Sequence, residues 1–250
     1  MKKIRDRFSK QSKLYSAYRP LYPPALYQRI LQRTENRRAY WDCATGNGQV
    51  VRKLAPHFEK AVATDISENQ LRQAPDLPNV EYRCLRAEET PFKDNTFDLI
   101  TVGQAIHWFD IEAFLRESAR VARNGATMAV WGYGLLKIGD AVDEIIDHFY
   151  RKVVGPWWDG ERKHIDTGYA SIPFDLVTAE DLGGLYIERP MDLDALLGYL
   201  NSWSSVQNYR RAKEVNPVDV LAKSLRAHWP AGTTKTAVFP LFGTLGKIEK

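Results

Sequence analysis

Asp42-Cys43-Ala44-Thr45-Gly46-Asn47-Gly48 is the stretch on which the fold turns. Ala39-Tyr40-Trp41, just before it, is a short apolar run that reads as a strand ending at Asp42. Val50, Val51, Leu54 and Ala55, just after it, recur at helical spacing. The segment is therefore a small-residue turn between a strand and a helix. Such a turn lets a ligand approach the backbone closely, and the helix that follows offers unsatisfied N–H groups.

The next strand, Ala61-Val62-Ala63, ends at a second acidic residue, Asp65, 23 positions after Asp42. A carboxylate at the end of the second strand can accept both hydroxyls of a ribose. Either feature alone has a plain structural reading, an ordinary tight turn or a solvated strand end. Together, in a strand–turn–helix context, they point to a nucleoside site. A nicotinamide dinucleotide is a competing ligand, with its pyrophosphate at the helix N-terminus. The spacing disfavours it, because Gly46-x-Gly48 is followed by Gln49, Val50 and Val51 rather than by a correctly placed third glycine.

Further out, apolar runs at 80–85, 97–102 and 127–131 read as strands three to five. Ser67 with Gln70 resembles a capping box. Asp110 reads as an N-cap, Phe114, Leu115, Ala119 and Ala122 as an apolar stripe, and Asn124-Gly125 as the helix stop. This β-α-β-α order predicts an α/β, Rossmann-like, doubly wound and mostly parallel sheet with helices on both faces. The spacing of Val142, Ile145, Ile146, Phe149 and Val153 predicts a helix over 139–154. Residues 155–182 read as irregular and aromatic, 185–187 as a strand before Pro190, and 192–229 as two helices. Residues 236–239 and 242–248 read as a closing β segment interrupted by Pro240 and Gly243. No linker composition separates these parts, so 1–250 reads as one domain. Within it, 1–35 is an N-terminal helical lid, 36–135 the ligand-binding core, 155–230 a substrate-side insertion and 231–250 the closing strands.

The chain has 250 residues, 44% hydrophobic and 26% charged, which suits a globular domain with a full core. The net charge of +4 comes without a long Lys/Arg run, which argues against a nucleic-acid partner. The basic start is not followed by an apolar secretory segment, and no apolar run is long enough to span a bilayer. The expectation is a cytoplasmic monomer or homodimer with no membrane partner. Cys43 and Cys84 lack metal-ligand spacing, so no metal is expected and both read as reduced core thiols.

Asp42-x-Ala44-x-Gly46-x-Gly48 resembles the first motif of the class I S-adenosylmethionine-dependent methyltransferases, in particular the type 11 group, with Ala44 in place of the first glycine. Arg86-Ala87-Glu88-Glu89-Thr90-Pro91-Phe92 and Asp94-Asn95-Thr96-Phe97-Asp98-Leu99-Ile100 are similar to that group's adenine-side loop and fourth strand. The family often has Asp where Arg86 stands, which makes Glu88 the substitute contact. Three segments resemble the trans-aconitate-methyltransferase-like branch: Tyr18-Arg19-Pro20-Leu21-Tyr22-Pro23, Gln104-Ala105-Ile106-His107-Trp108-Phe109 and Ser202-Trp203-Ser204-Ser205. The similarity covers 8–135 well and the remainder loosely.

The resemblance implies a seven-stranded sheet with a C-terminal lid insertion, and S-adenosylmethionine as cofactor with S-adenosylhomocysteine as product. It implies cofactor contacts from Asp42, Ala44, Gly46, Gly48, Asp65, Ile66, Ala87, Glu88, Gly103 and Gln104, with Asp42 near the cationic ammonium. A small-molecule acceptor is expected, with a carboxylate oxygen as one candidate and a hydroxyl, nitrogen or carbon as others. A carboxylate needs no base, whereas a hydroxyl or amine benefits from one. His107, after strand four, is the candidate base, against a packing role. Arg19 is the candidate anion anchor. Tyr18, Trp108 and Trp203 are candidate pocket walls; Phe8 and Tyr15 would join the lid, and Trp157, Trp158 and Tyr209 suit a pocket or a plain insertion core. A cofactor-binding accessory protein without catalysis is the reading from another class.

Overall fold

The computed structural model describes residues 18–250. Phe8 and Tyr15, and with them residues 1–17 of the expected lid, lie outside the described residues.

Helix α1 (Pro24–Arg33) begins with proline at its first turn, where no intrahelical N–H is needed, and buries Leu26, Tyr27 and Ile30. Then come β1 (Ala39–Cys43), α2 (Val51–Leu54), β2 (Lys60–Asp65), α3 (Glu68–Leu71), β3 (Val80–Cys84), β4 (Phe97–Gly103), α4 (Ile111–Val121) and β5 (Ala122–Tyr133). β1 is buried along its whole length, as its apolar run predicts for a strand covered on both faces. Side chains alternate between two cores. Tyr40, Leu99 and Trp131 face one, with α1 and α2; Trp41, Ile100 and Val130 face the other, with Phe114 of α4.

The strand order is β3-β2-β1-β4-β5, followed by a late strand, β8 (Lys235–Ile248), and then β6 (Val177–Asp181). β1 to β5 run parallel, and β8 is antiparallel to β5. Connections on the two sides of the β1–β4 pair run in opposite directions. This is a topological switch point, and it opens a crevice beyond the carboxyl ends of those strands. The turn at 42–48 and the segment 103–109 both start there.

The expected seven-strand path is present, and an eighth strand extends it. β8 is one continuous element rather than two. Its second half lies between β5 and β6 (Val177–Asp181), while its first half pairs with β7 (Tyr186–Met191). Pro240 and Gly243 mark where it changes partners. Pro190 sits inside β7, not after it. The 139–154 helix appears as α5 (Asp140–His148), ending in one wide π turn, Phe149–Val153. The insertion contains short turns and α6 (Lys163–Asp166), and then three helices where two are expected: α7 (Leu193–Asn201), α8 (Ser204–Lys213) and α9 (Pro217–Arg226).

Three local expectations are corrected. Asn124-Gly125 does not stop the helix. α4 ends at Val121, and both residues lie in β5, where Gly125 takes φ 74° as the pairing shifts from Phe97–Ala122 to Leu99–Thr127. Asp110 caps α4 as expected, accepting from Ala113 N–H at 3.2 Å. The capping box at Ser67 does not form: Ser67 N–H donates to Asp65 Oδ1 at 2.9 Å, and Gln70 is buried. Cys43 is a core thiol, but Cys84 is exposed, because β3 is the outer strand of the sheet. Among the described residues no helix is long and apolar enough to cross a membrane.

Candidate functional site

The turn after β1 is built by alternating left-handed residues: Ala44 (φ 55°), Gly46 (φ 58°) and Gly48 (φ 79°). A Cβ at Gly48 would lie 2.8 Å from Pro75 Cδ, so glycine is required there for packing as well as for φ. At Gly46 a Cβ would meet no atom within 4 Å and would project into the crevice. The turn is thus a backbone cradle open to a ligand. Thr45 N–H ties it to β2 through Thr64 O at 2.9 Å.

Asp42 holds this turn from beneath. Its carboxylate accepts from Thr45 Oγ1 and Thr101 Oγ1, each at 2.6 Å, and from Val51 N–H at 3.1 Å. It is almost wholly buried. Burial pushes its pKa up to about 6, although the hydrogen bonds resist the rise. The residue borders the crevice, yet its hydrogen-bond partners are the protein's own hydroxyls and backbone, so its role in the structure is to shape the turn.

Asp65 stands at the carboxyl end of β2 with Oδ2 accepting from Gly46 N–H at 2.9 Å. Each carboxylate oxygen can accept further hydrogen bonds. Asp65 lines one compartment of the crevice together with Ile66, Ala87, Glu88 and Gly103. Glu88 is held there by Asp110 N–H at 3.1 Å and by Arg86 Nε at 3.3 Å. The arginine found where the family often has aspartate therefore orients the acid two residues on. Leu85 and Phe109 complete this compartment's apolar wall; Phe109, beside Trp108, is a wall candidate on its place after strand four, whereas Leu85 reads only as the end of strand three.

A second compartment lies over the turn itself, bordered by Asp42, Ala44, Gly46, Gln49 and Arg19. A third lies over β4 and β5 and is closed by the insertion. It contains Arg19, His107, Trp108 and Trp203, as expected, and also Tyr133, Trp158, Arg162 and Tyr199. Gln104 borders all three. Its backbone is left-handed (φ 55°), and its Oε1 accepts from Tyr133 N–H at 2.7 Å, which fixes the side chain at the junction. Arg19 Nη1 donates to Tyr133 OH at 2.7 Å and lines both the second and third compartments.

His107 is buried, with Nδ1 3.2 Å from Tyr169 OH. Burial first, then the charges of Arg162 and Arg19, lower its pKa to about 3. It is neutral at pH 7 and a weak proton acceptor. Tyr18 packs with its ring on Gly198 of α7 and is not among the residues lining the third compartment. Trp157 and Tyr209 pack on one another, ring centroids 5.4 Å apart, also away from that lining. Trp203 instead contacts Trp158 at 5.5 Å and Tyr199 at 5.9 Å. Tyr133, Arg162 and Tyr199 carry no motif. Only their long-range placement in the fold brings them together.

A family model described as "Methyltransferase domain" matches residues 41–130. The chain is 32% identical over 99% of its length to a Dictyostelium discoideum protein designated a methyltransferase, covering 97% of that protein. A solved structure from Anaeromyxobacter dehalogenans, designated a type II methyltransferase, matches at 36% identity with a TM-score of 0.83. It covers 93% of this chain and 99% of its own. A phosphoethanolamine N-methyltransferase of Haemonchus contortus, solved with S-adenosylhomocysteine, shares the fold at 16% identity and TM-score 0.50, over 97% of this chain and 58% of its own.

Proposed function

The chain belongs to the class I S-adenosylmethionine-dependent methyltransferases of type 11, and from that premise we propose that it methylates a small molecule at a carboxylate oxygen. S-adenosylmethionine is the cofactor of this family, and the crevice fits it. The compartment at Asp65 and Glu88 suits the adenosine, and the cradle at 44–48 suits the methionyl part.

The observation that carries the carboxylate reading is the acceptor compartment. It meets the cofactor crevice at Gln104, its shared wall holds Arg19, and its histidine is a weak base. When bound, the cofactor supplies an electrophilic methyl group. A carboxylate oxygen forms the new O–C bond as the C–S bond breaks and its electron pair passes to sulfur, with no proton to remove. Arg19 orients the anion by charge-assisted hydrogen bonds, and the aromatic walls exclude water.

The test is a screen of carboxylic acids, phenols and amines with methyl-labelled S-adenosylmethionine, read by mass spectrometry. Labelled methyl esters are the expected products. Labelled ethers or methylamines, with no ester, would overturn the carboxylate assignment.

A further inference from the structure

Arg162 sits in the short turn Gly160–Arg162 of the insertion, far in sequence from any motif. It lines the acceptor compartment and is mostly buried. Three contacts fix it. Its guanidinium lies over the Trp158 ring, 4.4 Å from the centroid, and 5.3 Å from the Tyr150 centroid. Its Nε donates to Tyr150 OH at 2.8 Å. Tyr150 OH in turn donates to Asp166 Oδ1 in a short hydrogen bond. The terminal nitrogens make no hydrogen bond to the described residues. A planar, pre-positioned fork with its end groups uncommitted matches a carboxylate.

Two further observations point the same way. Trp158 Nε1 is a buried donor with no hydrogen-bond partner among the described residues, beside Arg162 on the compartment wall. The wide π turn at Phe149–Val153, closed by Val154 N–H to Phe149 O at 3.0 Å, reorients the end of α5 at Tyr150. Such turns recur where a helix must aim a functional side chain. Asp159 also lines the compartment, and Asp166 lies behind the guanidinium, 3.7 Å from Arg162 Nε, which leaves the terminal nitrogens facing the cavity. Trp203, Tyr199 and Tyr133 add flat rings to the wall, beside Leu135, Ser202 and Ser204.

We propose that Arg162, positioned by Tyr150 and Trp158, is a second anion anchor of the acceptor compartment, acting with Arg19 on one carboxylate, and that the acceptor is a flat, aromatic or conjugated monocarboxylic acid. This rests on the third compartment being the acceptor site. Tyr150 and Asp166 are positioning residues; Arg162 touches the substrate.

The experiment uses the full chain saturated with S-adenosylhomocysteine and follows tryptophan fluorescence during titration with cinnamate and with the neutral cinnamamide. The wild type is expected to prefer cinnamate. Arg162→Gln is expected to weaken cinnamate binding about 10–100-fold, the range for charge-assisted hydrogen bonds, to shrink the preference for acid over amide by a similar factor, and to leave S-adenosylhomocysteine affinity unchanged. Arg162→Lys should recover part of the preference. Tyr150→Phe should weaken cinnamate binding while keeping the preference, since the charge remains. Equal binding of acid and amide by the wild type, or an intact preference in Arg162→Gln, would overturn the anchor. The titration is repeated without S-adenosylhomocysteine. A wild type that binds cinnamate through Arg162 but not S-adenosylhomocysteine would sink the cofactor reading and leave the anchor standing.

Discussion

Ala44 occupies a left-handed backbone position that an L-residue enters at a cost of about 1–2 kcal/mol. Replacing it with glycine removes that strain but adds flexibility to the unfolded chain. Ala44→Gly is expected to stabilise the protein by about 0.5–1 kcal/mol in denaturant titrations, with S-adenosylhomocysteine affinity equal or better by calorimetry. Unchanged or lower stability would mean that the turn has adapted to alanine. His107 gives a pH signature. Its folded pKa, about 3, lies below its ordinary 6.5, so between these values the unfolded chain binds the extra proton. Stability is therefore full above about pH 6.5 and is lost as the pH falls. Asp42, raised from 3.8 to about 6, works in the opposite direction, but its displacement is smaller. Between pH 6.5 and 4.5 the two nearly cancel, at about 1.4 kcal/mol per unit of pKa difference, so net stability should fall by less than about 1 kcal/mol, whereas in His107→Gln it should rise by about 1–2 kcal/mol as the pH falls. If His107 is a packing residue, the same variant lowers the methylation rate by less than about tenfold; a loss of about 10²–10⁴ would restore it as a base. At this scale the crevice at the switch point is legible, because Gly46, Gly48 and Asp65 are demanded by backbone geometry and a strand end. Tyr18 was misplaced because a sequence motif fixes neighbours along the chain and not the side chain's direction.

At the scale of elements, β8 depends on one residue. Gly243 has φ 139°, and a Cβ there would strike Val130 O and Trp131 Cα of the adjoining strand. Gly243→Ala is expected to destabilise the fold by more than about 2 kcal/mol, since both backbone strain and a backbone clash oppose it; melting and denaturant curves decide this. A loss under about 0.5 kcal/mol, the scale of an ordinary surface substitution, would show that β8 can shift its register freely. Asp110→Ala removes the α4 cap and should cost about 1 kcal/mol. The parallel strands were readable because their apolar runs reflect burial on both faces. β6, Val-Thr-Ala-Glu-Asp, shows no alternation, being half exposed at the margin of the sheet, and so gave no signal. β7 was truncated in the reading by Pro190, which an outer strand tolerates where no ladder donor is needed.

For the whole molecule, the cofactor should act as a stabilising ligand. At a concentration of about 100 times its dissociation constant, S-adenosylhomocysteine should add about 2.7 kcal/mol to the unfolding free energy, and NAD should add nothing comparable. A larger thermal shift with NAD would contradict the family's cofactor here. The α/β architecture followed from the first 135 residues. The third compartment did not, because Arg19, Tyr133, Arg162 and Tyr199 converge only after residues 155–230 have packed over the sheet. The course of β8 has a further consequence, for how the molecule reaches this state. Its ladder joins Ala126 to Ile248 and Tyr133 to Leu241, and its other pairings reach back to Val177 and Tyr186. Contacts so distant along the chain form late and slowly. Until they form, β5 is an open edge able to pair with another molecule. Refolding from denaturant should therefore be slow, and its yield should drop as protein concentration rises.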